Sequence, residues 1–260
     1  MSDPISTKTQ FNVEQLLARG RLYQALAYFF RHPSFIESQF PEKEKIMEWQ
    51  EAIETIKSPD ESQLKNYLKL LIEELKNTDR ETWIRQYEQY FGHTAMGPVP
   101  LYELEYGEEE SLRQPHQLAD ISAFYNAFGL RVNKKVYERV DHAGIECEFV
   151  QVLLFKEAYA LNQKQEENAL TCQIACRRFI WEHPGRWLPS FSLRLARYAK
   201  EGLMKRIADF AFAFVVQDCQ MLGIPPGPSD IPLRPVQERE EMSCLDCSSK
   251  AGCHDHERRK

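Results

Sequence analysis

The 14 prolines and 11 glycines of this 260-residue chain stand almost entirely where helical patterns break. Proline removes a backbone donor and glycine loosens the backbone, so a chain that keeps both out of its periodic stretches is punctuated like a string of helices. Apolar residues recur at helical spacing over 11–31, 41–57, 59–76, 79–91, 115–128, 141–163, 166–182, 188–201 and 203–222. Ser58-Pro59-Asp60-Glu61 reads as a capping box with proline at the first helical position, and Gly92, Gly129 and Gly223 stand where left-handed C-terminal residues are expected. In the longest helix Ile145, Phe149, Val152, Leu153 and Ala160 form one inward stripe. No segment alternates like a strand or repeats another. The expected fold is all-α: a single compact domain of about nine helices over 11–223, preceded by a flexible N-terminus, 1–10.

Two segments interrupt that pattern. Residues 92–110 form a long non-helical connection, and such connections are uncommon inside a bundle unless they build a site. From Ile224 onward Pro225, Pro226, Pro228, Pro232 and Pro235 fall close together, which predicts an extended, semi-rigid linker beyond the folded part, leading a 224–260 tail.

The formal charge of -6 and a pI near 5.7 argue against nucleic acid or an anionic membrane as partner and favour a basic segment of another protein. The N-terminal residues carry no apolar signal region, and the run Phe210–Val216 is far shorter than a membrane span. Seven cysteines, an odd number scattered through the chain, do not make a disulfide framework. They point to a reducing cytoplasm, with Cys147, Cys172, Cys176 and Cys219 as small buried hydrophobes in helices.

The chemistry-bearing residues gather in three places. Asp141-His142 opens the longest helix, with Asp141 placed to cap it and Glu146 and Glu148 near its positive end. The 92–110 segment carries Glu103, Glu105, Glu108, Glu109 and Glu110, interleaved with Leu101, Tyr102, Leu104 and Tyr106. Clustered carboxylates repel one another, so they serve as a solvated face or as a receptor for guanidinium groups, which carboxylates bind through paired hydrogen bonds. The tail's Cys244-Leu-Asp-Cys247, followed by Cys253, His254 and His256, has metal-ligand spacing. Cys244, Cys247, Cys253 and His256 are four soft donors suited to zinc or an iron–sulfur centre, and a metal-free thiol tail is the alternative.

Asp141-His-Ala-Gly-Ile-Glu-Cys-Glu-Phe149 resembles the Asp-His-x-x-x-Glu-x-Glu-Phe signature of the TorD/DmsD/NarJ-type family of molybdoenzyme chaperones. Pro100-Leu-Tyr102-Glu103-Leu-Glu-Tyr106 is similar to that family's Pro-x-Tyr-Glu-Ser-x-Tyr element, and the likeness covers most of 11–223. Leu104, Ala143 and Cys147 depart from the pattern, which bears on the choice of client more than on the fold. The resemblance implies a cytoplasmic chaperone that binds the twin-arginine signal peptide on the catalytic subunit of a molybdenum oxidoreductase and assists cofactor insertion before export. It requires no cofactor of its own and contacts molybdopterin at most transiently. Monomer and homodimer both stay open.

The expected peptide site is Tyr102, Glu103, Glu105, Tyr106, Asp141 and His142, with Glu103, Glu105 and Asp141 taking the arginines, the tyrosines lining an apolar groove and His142 tuning the contact. No phosphate loop, His-Glu-x-x-His, Gly-x-Ser-x-Gly or paired Glu-x-x-His is present, so no enzyme is expected. The rival reading is a helical scaffold whose Cys/His tail serves as a redox or metal-sensing module. The single histidines His32, His93, His116 and His183 and the four tryptophans read as ordinary structural residues.

Overall fold

The computed structural model describes residues 10–36, 42–92, 97–107, 114–133 and 138–234. Among these, nine helices follow one another: α1 (Val13–Phe30), α2 (Lys43–Thr55), α3 (Glu61–Asn77), α4 (Arg80–Phe91), α5 (Gln114–Ala127), α6 (Ala143–Asn162), α7 (Glu166–Glu182), α8 (Pro184–Ala199) and α9 (Gly202–Met221). Extended pairing among the described residues is confined to two isolated bridges, Tyr102 with His142 and Tyr106 with Leu233. The fold is all-α, as the sequence pattern predicts.

Helix α6 is the centre of the molecule, flanked by α1 and α7. Its buried residues include Ala143, Cys147, Phe149, Val150, Leu153, Leu154, Ala158 and Ala160, which cover most of its circumference instead of one stripe. A helix that is apolar nearly all round has to be covered on several sides. The approach of α1 depends on Gly20, since a Cβ there would stand 2.4 Å from the ring of Phe155.

A buried ion pair ties α1 to α9. Arg19 Nε donates to Asp218 Oδ1 at 2.6 Å and Nη2 to Oδ2 at 3.0 Å, while the Tyr23 hydroxyl donates to Oδ2 at 2.9 Å. With both side chains out of solvent, the bidentate geometry and the third donor offset the cost of taking two charges from water. Cys147, Cys172, Cys176 and Cys219 are free and buried, in helices as expected.

Two helix starts differ from the sequence reading. The α3 cap is Asp60, whose carboxylate accepts the Gln63 N–H at 3.1 Å, because the Ser58 hydroxyl is drawn away to Gln217 of α9. Helix α8 begins at Pro184, not 188, with Pro189 inside its early turns. Proline at the first position loses nothing there, and Pro189 leaves the Gly185 carbonyl without its intrahelical donor. That carbonyl instead accepts the N–H of Gly227 at 2.8 Å.

Residues 224–234 therefore do not extend beyond the domain as a linker; they run back over it as a strap. Ile231 N–H donates to Ser190 Oγ at 2.7 Å, Gly107 N–H to the Pro232 carbonyl at 2.9 Å, and Arg234 N–H to the Glu105 carbonyl at 2.9 Å. Ile224 and Ile231 are buried. Gly227 is obligatory, since a Cβ would lie 1.8 Å from the Arg186 carbonyl oxygen. The prolines stiffen the strap, and free backbone acceptors on α8 and the 97–107 loop give it somewhere to bind. No helix among the described residues is long and apolar enough to cross a membrane.

Truncation separates strap from tail. The reference is a chain ending at Arg234, which keeps every strap contact named above. Removing 224–260 strips these hydrogen bonds and both isoleucines, for a loss of at least about 3 kcal/mol, read as a fall of roughly 6–12 °C in a thermal melt.

Candidate functional site

The 97–107 loop and the mouth of α6 are one structure. Ala143 N–H donates to the Leu101 carbonyl at 2.8 Å and Glu103 N–H to the Asp141 carbonyl at 2.9 Å, on either side of the Tyr102–His142 bridge. The Asp141 side chain adds a third tie, accepting the Leu104 N–H at 3.1 Å. Two segments some forty residues apart are thus held in register by backbone bonds.

Asp141 is not the α6 cap. Its carboxylate is fully buried and faces the loop and Arg139, whose Nε and Nη2 reach it at 2.9 and 2.6 Å. His142 caps the helix instead, its Nδ1 accepting the Gly144 N–H at 3.1 Å. An accepting Nδ1 places the proton of the neutral ring on Nε2. Burial pushes the His142 pKa below its ordinary value, against the opposing pull of Glu138 and Asp141.

The expected binding residues divide among different surroundings. The Tyr102 ring meets His142 edge-on at a centroid distance of 5.4 Å, and its hydroxyl donates to Glu138. Glu105 accepts from Arg139 Nη1 at 2.9 Å, and the Arg139 guanidinium lies 4.7 Å from the Tyr102 ring centroid. Tyr106 is fully buried, with its hydroxyl on the Pro100 carbonyl at 2.9 Å and its ring 5.1 Å from Trp187. It is a core residue and not a groove wall.

Glu103 points the opposite way from Asp141, toward α8. His183 Nδ1 lies 2.9 Å from its Oε2, and Arg186 donates to Oε1. Behind it, Glu146 accepts the Trp187 indole N–H at 2.9 Å. Burial and the nearby Glu103 push Glu146 well above the carboxylate range, so it is the neutral member of the pair. Although burial opposes it, hydrogen bonding to His183 and the Arg186 charge hold Glu103 below its ordinary value, making it the charged member. Of the expected set, Tyr102, Glu105, Asp141 and His142 come together on one side, while Glu103 and Tyr106 serve the loop's inner face. Glu108, Glu109, Glu110, Cys244, Cys247, Cys253 and His256 lie outside the described residues. No group of three potential ligands that could hold a metal occurs among the described residues.

Beside Glu138 and His142 opens a cavity of about 530 Å³. Ala27, Phe35, Leu130, Val132, Ile145, Phe149 and Val152 give it an apolar lining, and Arg31, Arg131, Glu138 and Glu148 bring charges of both signs. The stripe Ile145, Phe149, Val152, legible in sequence as an inward face, is its floor. Sequence reasoning missed Glu138, Arg139 and His183. Arg139 stands two residues from Asp141, a spacing that offered a signal; His183 is linked to Glu103 only by the fold.

The model of the family described as nitrate reductase delta subunit matches residues 55–192, which run through the loop, Asp141-His142, α6 and α7. Against the protein named Chaperone protein TorD of Vibrio cholerae serotype O1 (strain ATCC 39541), the chain is 31% identical over 94 residues, 36% of this chain and 41% of that protein. Against Chaperone protein TorD of Vibrio vulnificus (strain YJ016), it is 29% identical over 126 residues, 48% of this chain and 57% of that protein. The chain thus spans about half the length of the curated relatives it matches.

The His142 cap has a pH signature. Its folded pKa lies below the ordinary value, so the unfolded chain binds the proton more readily and stability falls as pH drops below about 6.5. The slope approaches at most about 1.4 kcal/mol per pH unit. His142→Asn keeps a side-chain acceptor for Gly144 and cannot titrate, so its melting temperature should fall less than the parent's between about pH 7.5 and 5.5. Equal losses in both chains would assign the pH dependence elsewhere.

Proposed function

The chain belongs to the nitrate reductase delta subunit family, of the TorD/NarJ type, and from that premise we propose that it is a molybdoenzyme maturation chaperone that binds its client's N-terminal signal peptide. The client is the immature catalytic subunit of a molybdenum-cofactor oxidoreductase. Holding its twin-arginine signal keeps that subunit from export while the cofactor is inserted. The protein acts by binding, without turnover of its own.

The observation that carries this reading is an apolar cavity lined by Glu138 and His142, two residues that contact Tyr102 next to the Glu105 and Asp141 carboxylates. A twin-arginine signal joins basic side chains to an apolar stretch, and the two halves require opposite surroundings within one short span. The cavity over Ile145, Phe149 and Val152 suits the apolar stretch. Glu105 and Asp141, which hold the Arg139 guanidinium against the Tyr102 ring, suit a guanidinium. Glu138 and His142 join the two parts, since both line the cavity and both contact Tyr102. His142 contributes as a neutral cap that fixes the mouth of α6, leaving the carboxylates to set the charge. The net charge of -6 further favours a basic ligand.

A fluorescently labelled synthetic peptide with an Arg pair followed by an apolar stretch should bind with a Kd on the order of micromolar. Ile145→Glu places a charge on the cavity floor at a partly exposed position, so the chain stays folded. It should weaken binding at least about tenfold, or about 1.4 kcal/mol. A folded variant that binds as tightly as the parent would remove the cavity from the peptide site.

A further inference from the structure

We propose that Asp141, Glu105 and the face of Tyr102 form a guanidinium-binding site that the chain fills with its own Arg139, and that an arginine of the bound peptide takes the site by displacing it. The inference rests on the peptide reading above and adds an internal competitor to it.

Arg139 is held as a ligand would be. Its Nε and Nη2 reach the two oxygens of Asp141 at 2.9 and 2.6 Å, Nη1 reaches Glu105 at 2.9 Å, and the Tyr102 ring lies 4.7 Å from the guanidinium carbon. Asp141 is fully buried, whereas the Arg139 side chain is 40% exposed. The bidentate receiving group is therefore built into the fold and the occupant lies on its surface.

Exchange leaves that framework standing. Loop and helix stay joined by the backbone bonds from Glu103 to Asp141 and from Ala143 to Leu101, neither of which uses the Arg139 side chain. Asp141 also keeps the Leu104 N–H as a donor. One guanidinium replacing another preserves the bidentate pairing, so a buried carboxylate is never left without a counter-charge. A lysine offers a single point charge and no fork, so it competes poorly with Arg139. The device makes binding selective for arginine and lowers the apparent affinity, because every peptide arginine that enters has to displace Arg139.

The full-length protein and its Arg139→Ala variant would be titrated with two synthetic peptides, one carrying an Arg pair before the apolar stretch and one a Lys pair. R139A should bind the Arg peptide on the order of tenfold tighter than the parent, with a gain below roughly threefold for the Lys peptide. Millimolar methylguanidinium should raise the melting temperature of R139A, by filling the vacated site, and leave the parent unchanged; methylammonium should do neither. A folded R139A that binds the Arg peptide no better than the parent overturns the proposal, as does the absence of any methylguanidinium effect. If R139A fails to melt cooperatively, Arg139→Lys, which keeps a cation without the fork, enters the same titration, where unchanged affinity for the Arg peptide is the overturning result. A parent that binds neither peptide defeats the functional reading, and methylguanidinium then decides on the site itself.

Discussion

Asp141 is the residue on which the rest of the site depends. Its carbonyl accepts Glu103 N–H, and its carboxylate accepts Leu104 N–H and both near nitrogens of Arg139. Through these contacts one residue fixes the loop against the mouth of α6 and places a buried carboxylate next to the His142 cap. A carboxylate without solvent is stable only when its lone pairs are used, and here each contact that stabilises the charge also joins two parts of the chain. The chemistry of the site and its architecture thus come from the same group.

Three buried carboxylates meet where the loop joins α6, Asp141, Glu103 and Glu146, and two different means stabilise them. Asp141 and Glu103 each meet an arginine at the surface, Arg139 and Arg186, with the acid buried and the base partly exposed. Glu146 accepts from the Trp187 indole, faces no arginine partner among the described residues and resolves its burial by staying protonated. Two ionised glutamates adjacent to each other in this core would repel strongly, so the neutral state of Glu146 is what permits Glu103 to be charged. The Arg19–Asp218 pair applies the surface solution entirely inside, with Tyr23 as the additional donor.

Much of this fold was legible in residue order, because helices are local. The spacing of apolar residues located all nine described helices, and Gly92, Gly129 and Gly223 adopt positive φ at the ends predicted for them. The failures share a physical cause: each is a long-range contact overriding a local preference. Ser58 reads as a cap but bonds to Gln217, and Asp141 reads as a cap but serves Leu104 and Arg139. The strap's prolines read as a spacer, since nothing local reveals that Pro189 has left a carbonyl for Gly227. At the site, the loop and the Asp-His pair were visible as two segments, and their joining by a β-bridge required the fold. Tyr106 misled because an aromatic in an acidic loop looks like a groove wall, whereas its hydroxyl is satisfied by Pro100 and its ring by Trp187.

The strap gives the loop a second edge. On one side the loop backbone pairs with His142 at the mouth of α6; on the other it pairs with Leu233, while Gly107 and Glu105 bond to Pro232 and Arg234. A loop of eleven described residues, 97–107, with only one short 3-10 turn has too few internal bonds to hold a shape alone. Bound along both edges, it is as ordered as a strand in a sheet, and Glu105 is aimed from a backbone that cannot slide. For the peptide binding proposed above, rigidity of this kind would lower the entropy lost on association, because the loop itself does not have to become ordered. On that proposal the acidic residues act as a receptor whose specificity follows from the fork geometry of whichever guanidinium occupies it.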